Sequence, residues 1–145
     1  MYLEFFKLKS CPFALACEEE FFYESSIHAE ALANMMYTAQ QGKGMVLVTG
    51  EVGAGKTFLG TMLRSRLQPG CQVVMVQNPP HSAKQLLRAV AAGVGMDVGA
   101  RTDKLDLVDS LREHLGRQVL RGRLVALVLD EAQDLSGASL EELRL

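Results

Sequence analysis

The chain has 145 residues and 48% hydrophobic content, the size of one ordinary domain with a sizeable core, which excludes a disordered segment. A net charge of −2 and 15 thinly spread basic residues, with Arg117, Arg121 and Arg123 the nearest thing to a cluster, give no strong nucleic-acid signal. No stretch approaches the roughly 18 uninterrupted apolar residues of a membrane span, and charges stand where a signal peptide would be apolar, so the chain reads as cytoplasmic. Cys11, Cys17 and Cys71 are odd in number and lack a C-x-x-C spacing, which reads as free thiols in a reducing compartment.

Seven aromatic residues crowd the start: Tyr2, Phe5, Phe6, Phe13, Phe21, Phe22 and Tyr23. Pro12 and the acids Glu18 to Glu20 argue against a long helix there, so short elements covering the domain's flank are expected, most of the aromatics packing on the chain's own core, with Phe22 or Tyr23 alternatively set against a ligand ring or a neighbouring subunit. Ser25 and Ser26 offer caps for a helix from about Ile27 to Gln41, ended by Gly42 and Gly44, with His28 near its start able to approach a nucleotide base. Residues 1–44 form an aromatic flanking segment and helix on this reading, and residues 45–145 a partial core.

The core opens on Met45 to Val48, with Thr49, an apolar run expected to be a buried parallel strand. Gly50-Glu51-Val52-Gly53-Ala54-Gly55-Lys56-Thr57 follows and fits the phosphate-loop pattern G-x-x-x-x-G-K-[ST] at every fixed position. Glycines at 50, 53 and 55 permit backbone angles that turn successive N–H groups inward, and with a helix N-terminus these make an anion cradle. Lys56 can reach the β- and γ-phosphate oxygens, the Thr57 hydroxyl can coordinate Mg²⁺, and Phe58 begins the helix that carries Leu59, Met62, Leu63 and Leu67.

Pro69-Gly70 predicts a turn and Gln72 to Gln77 a strand, stopped by Asn78, Pro79 and Pro80. Ser82 with Gln85 predicts a capping box for a helix to about Ala92, with Leu86, Leu87 and Val90 inward. Beyond Gly93, Gly95 and Gly99, Thr102 is expected to cap a long helix with Leu105, Val108, Leu111, Leu115 and Val119 on one side, closed by Gly122. The apolar run from Arg123 to Leu129 reads as a central parallel strand covered on both faces, and it ends in Asp130-Glu131. That is the form of a Walker B motif, whose acids stand at the carboxyl end of a strand, where ligands of open α/β sheets bind. Asp130 would hold the Mg²⁺ shared with Thr57, and Glu131 would orient and deprotonate the attacking water. Gln133 has no assigned part in this scheme; Asp134 reads as the cap of a helix beginning near Ser136, and His81 and His114 as surface residues.

The aromatic start, Phe22-Tyr23 and His28, the phosphate loop, Asp130-Glu-Ala-Gln133 and Leu140-Glu-Glu-Leu-Arg144 together resemble the N-terminal part of the general secretion pathway protein A (ExeA-like) family of AAA+ ATPases. The resemblance implies a P-loop NTPase of AAA+ type, a three-layer α/β sandwich with a parallel sheet, here truncated after the Walker B strand. A fourth strand lying between the phosphate-loop and Walker B strands, a polar sensor, an arginine finger and a helical lid would belong to later sequence. It also implies ATP and Mg²⁺ as ligands, ATP hydrolysis, a homo-oligomer, and a membrane partner in assembly of a type II secretion or pilus apparatus, with the full-length protein anchored in the inner membrane by a later segment. On this expectation the 145-residue chain alone turns over ATP weakly or not at all, and is poorly stable unless its first and third strands close up. Rival readings are a DNA-directed AAA+ ATPase of transposition or helicase type, and a nucleotide-binding fragment with little turnover.

Overall fold

The computed structural model describes residues 2–9, 22–42, 44–67 and 70–144. A short helix α1 (Tyr2–Phe5) precedes α2 (Ser26–Gln41), α3 (Lys56–Leu67), strand β1 (Cys71–Val76), α4 (Ala83–Gly93), α5 (Lys104–Leu120), strand β2 (Leu124–Leu129) and α6 (Gly137–Glu141). β1 and β2 pair in parallel, Cys71 opposite Leu124 through to Val76 opposite Leu129. A parallel pair needs a crossover, and α4 with α5 supplies it.

Side chains alternate across a strand, so each strand feeds two cores. Val73, Ala126 and Val128 pack with Leu32 of α2 and Leu59, Met62, Leu63 and Leu67 of α3. On the opposite face Val74, Val76, Val125, Leu127 and Leu129 pack with Leu86, Leu87, Val90 and Ala91 of α4 and Leu107, Val108 and Leu111 of α5. The result is a three-layer α/β arrangement. Gly60 lets α3 lie close to the sheet, since a Cβ there would stand 3.2 Å from Met75 Cε and 3.3 Å from Val128 Cγ1.

Local signals set the ends of α2. The Ser25 hydroxyl accepts the His28 backbone N–H at 3.4 Å, and Gly42 closes the helix at φ 60°. Arg66, in the last turn of α3, donates to both carboxylate oxygens of Glu24 at 3.1 and 2.9 Å. That fork holds the Glu24 carboxyl below its ordinary value and fixes the approach to α2 against α3.

Several expectations are corrected. Residues 45–50 carry no strand: Met45 and Leu47 are each 79% exposed, and only Val48 reaches the core of α2 and α3. An apolar run becomes a strand when a neighbour takes its hydrogen bonds, and among the described residues β2 pairs only with β1. For the same reason β2 is partly exposed along its whole length instead of being covered as a central strand. Ser82 stands at the cap position of α4, but its side chain makes no capping bond, so the Ser82–Gln85 box does not form. Asp103, not Thr102, caps α5, its carboxylate accepting the Asp106 N–H. The buried stripe of α5 is Leu107, Val108 and Leu111, packed with α4 and the sheet, and Leu105 and Val119 are exposed. Ser136 caps α6, while Asp134 lies in the 3₁₀ turn Ala132–Asp134.

Tyr2, Phe5 and Phe6 stack edge-on among themselves and stay largely exposed. Phe22 stacks on Phe58 with ring centres 5.0 Å apart, whereas Tyr23 is 83% exposed. Phe13, Phe21, Cys11, Cys17 and the turn residue Pro69 lie outside the described residues.

Candidate functional site

The phosphate loop runs from Gly50 into the first turn of α3. Gly53 and Gly55 each have φ 83°, a region that L side chains rarely adopt, which is why these two positions need glycine. The Ala54 N–H closes a turn onto the Glu51 carbonyl at 3.2 Å. Lys56 folds back over the loop, its ammonium donating to the carbonyls of Gly50 at 2.9 Å and Glu51 at 2.8 Å. Val52, at the tip, is fully exposed.

The acids arrive from the other end of the chain. The ladder of β1 and β2 extends one step, with Asp130 N–H donating to Val76 carbonyl at 3.0 Å, so the strand pairing itself fixes where Asp130 stands. Thr57 Oγ1 donates to Asp130 Oδ2 at 2.6 Å, a half-buried contact between residues 73 apart in sequence. Asp130 Oδ1 accepts the Glu131 N–H at 3.1 Å. Glu131 then takes the left-handed region at φ 56° and ψ 41°, an unusual conformation for a residue with a Cβ, and turns the chain sharply off the strand.

A cavity of about 470 Å³ lies between the two motifs. Gly50, Val52, Gly53, Gly55, Lys56, Thr57 and Phe58 line it from the loop side, and Glu131 and Gln133 from the acidic side. Glu51 and Ala54 belong to the loop without lining the cavity, and Asp130 sits behind Thr57.

Two partners escape the sequence. Gln133 donates through its side-chain amide to the Glu131 carboxylate, a contact hidden until the 3₁₀ turn brings two residues of one loop face to face. His28 places Nε2 2.9 Å from the carbonyl oxygen of Ala54, so it reaches the loop's backbone. The only sequence signal for that contact was its place at the start of a helix leading into the loop. His81 lies at the surface with Nδ1 donating to the Asp134 carbonyl at 2.9 Å, and His114 pairs with Gln118 within α5.

Similarity to known proteins agrees with this geometry. A family profile described as "AAA domain" matches residues 39–145. The chain belongs to the AAA domain family. The match takes in the loop, both strands and the acids, while α1 and most of α2 lie ahead of it. Over all 145 residues this AAA domain is also 35% identical to the General secretion pathway protein A of Aeromonas hydrophila. The chain spans 26% of the length of that relative. No solved structure matches significantly. Among the described residues no helix is long and apolar enough to cross a membrane.

Proposed function

We propose that this AAA domain binds ATP with Mg²⁺ and, within its complete protein, hydrolyses it. The observation that carries the reading is the 2.6 Å contact between Thr57 and Asp130, which joins the phosphate loop to the strand-end acids across 73 residues of chain. A hydroxyl and a carboxylate side by side are hard oxygen donors of the kind Mg²⁺ takes alongside water and phosphate oxygens. Bound there, the ion would neutralise charge on the β- and γ-phosphates.

The chain's own groups do the rest. Backbone N–H groups of the loop and the first turn of α3 hold the β-phosphate. Lys56 exchanges its two carbonyl partners for phosphate oxygens, a swap its flexible stem permits. Glu131 faces the cavity and takes the proton of the attacking water, with Gln133 holding its carboxylate in place. Similarity to a general secretion pathway protein A supports a role in assembly of a bacterial secretion or pilus apparatus, with a homo-oligomeric complete protein at the inner membrane. An arginine from a neighbouring subunit is worth about 10³ to 10⁵ in rate in comparable enzymes, so the 145-residue chain alone binds nucleotide more readily than it turns it over.

Phosphate release by the complete protein tests the acids. Glu131→Gln keeps ATP binding and abolishes turnover. Wild-type turnover by Glu131→Gln contradicts the assignment of the base.

A further inference from the structure

We infer that His28 is a positioning residue for the phosphate loop: it fixes the Ala54–Gly55 peptide so that the Gly55 N–H is presented to a bound diphosphate. The inference rests on the nucleotide-site reading above and adds a residue from outside both motifs. A carbonyl oxygen can only accept, so the 2.9 Å contact with Ala54 requires the hydrogen on Nε2. In the neutral ring Nδ1 is then an acceptor, and Ser25 Oγ stands 2.8 Å from it to donate. Ser25 is itself held as the cap of α2, and the Phe22 ring meets the imidazole in an edge-to-face pair with centres 5.7 Å apart. The imidazole is therefore held by two contacts before it meets the loop.

The consequence follows from peptide geometry. A trans peptide is planar, with its C=O and N–H pointing in opposite directions. Holding the Ala54 carbonyl on the α2 side turns the Gly55 N–H away from α2. That N–H has no acceptor among the described residues, and Gly55 lines the cavity. The restraint is needed because Gly55, at φ 83°, has no side chain to resist rotation of this peptide. The ring also lies beside the Gly55 α-carbon, where a Cβ would meet His28 Nε2 at 3.4 Å, an ordinary van der Waals contact. His28 thus acts on the phosphates through the backbone and not on the base.

The test is calorimetric titration of the chain with Mg·ADP and with Mg·GDP, measured by competition where binding is weak. His28→Ala weakens both nucleotides by the same factor, about five- to tenfold, the size of one orienting hydrogen bond. His28→Gln, whose amide nitrogen can occupy the place of Nε2, stays within about twofold of wild type on the same scale. A loss confined to Mg·ADP places His28 on the base and overturns the inference, as does an equal loss in His28→Gln and His28→Ala. Lys56→Ala separates the two levels. If it abolishes binding while His28→Ala changes nothing, the inference about His28 fails alone; if Lys56→Ala binds like wild type, the nucleotide site itself is refuted.

Discussion

Replacing Thr57 with valine keeps the shape of the side chain and removes only the hydroxyl that donates to Asp130 at 2.6 Å. A hydrogen bond to a charged group contributes about 1.5–3 kcal/mol, and the half-buried setting argues for the lower end. With an unfolding entropy of about 2.1 cal/mol/K per residue, a 145-residue chain changes by roughly 0.3 kcal/mol per degree, so a loss of about 1.5 kcal/mol lowers Tm by about 5 °C. Differential scanning calorimetry without nucleotide reads this directly. The same scans with ADP, in Mg²⁺ or in EDTA, read the second role: wild type gains extra stability from ADP only when Mg²⁺ is present, and Thr57→Val loses that increment. Thr57→Ser, which retains the hydroxyl, keeps both. A Thr57→Val chain that melts with wild type and retains the Mg²⁺ increment would refute the idea that this contact marks the metal position.

Three further outcomes are expected. In Gly93→Ala the new methyl would stand 2.3 Å from Val74 Cγ1, and overpacking of this kind costs about 1–3 kcal/mol against a helix-propensity gain of about 1 kcal/mol; thermal melts should show a net loss that Val74→Ala in the same chain relieves. Hydrogen exchange should find the amides of residues 45–49 fast and those of Val74 and Leu127 among the slowest; protection of 45–49 equal to the paired strands would mean that the segment joins the sheet in solution. Burial pushes the Cys71 thiol up from its ordinary value, more than the Ala126 backbone draws it down, so less thiolate exists at mildly alkaline pH than for a free cysteine. In a Cys11→Ser, Cys17→Ser chain, alkylation of Cys71 followed by mass spectrometry should be much slower folded than unfolded, and equal rates would show that the α3 side of the sheet opens.

What the sequence made legible were features whose cause is local or periodic. The Ser25 cap, the Gly42 stop and the loop glycines Gly53 and Gly55 each depend on a few neighbouring residues, and each is found where expected. The meeting of Thr57 with Asp130 was also legible, because each lies within a motif whose residue types suit one shared phosphate and metal site. Three things were not. Met45 to Val48 has the composition of a strand, but strand formation depends on a partner elsewhere in the fold, which composition does not reveal. Thr102 and Asp103 are both good caps, and Leu105 and Leu107 both flank the apolar stripe of α5, so local sequence did not show that Asp103 caps the helix or that Leu107 is the leucine turned inward. The contact of His28 with Ala54 joins residues 26 apart through a backbone carbonyl, and a backbone acceptor leaves no mark in the sequence.

The central claim, a Mg²⁺-dependent ATP site built on Lys56, Thr57 and Asp130, is tested most directly by titrating the chain with ATP in Mg²⁺ beside Lys56→Ala under the same conditions. The account predicts saturable binding at one site per chain, weakened at least tenfold by Lys56→Ala and by replacing Mg²⁺ with EDTA. Equal binding by wild type and Lys56→Ala, or binding indifferent to Mg²⁺, would contradict it.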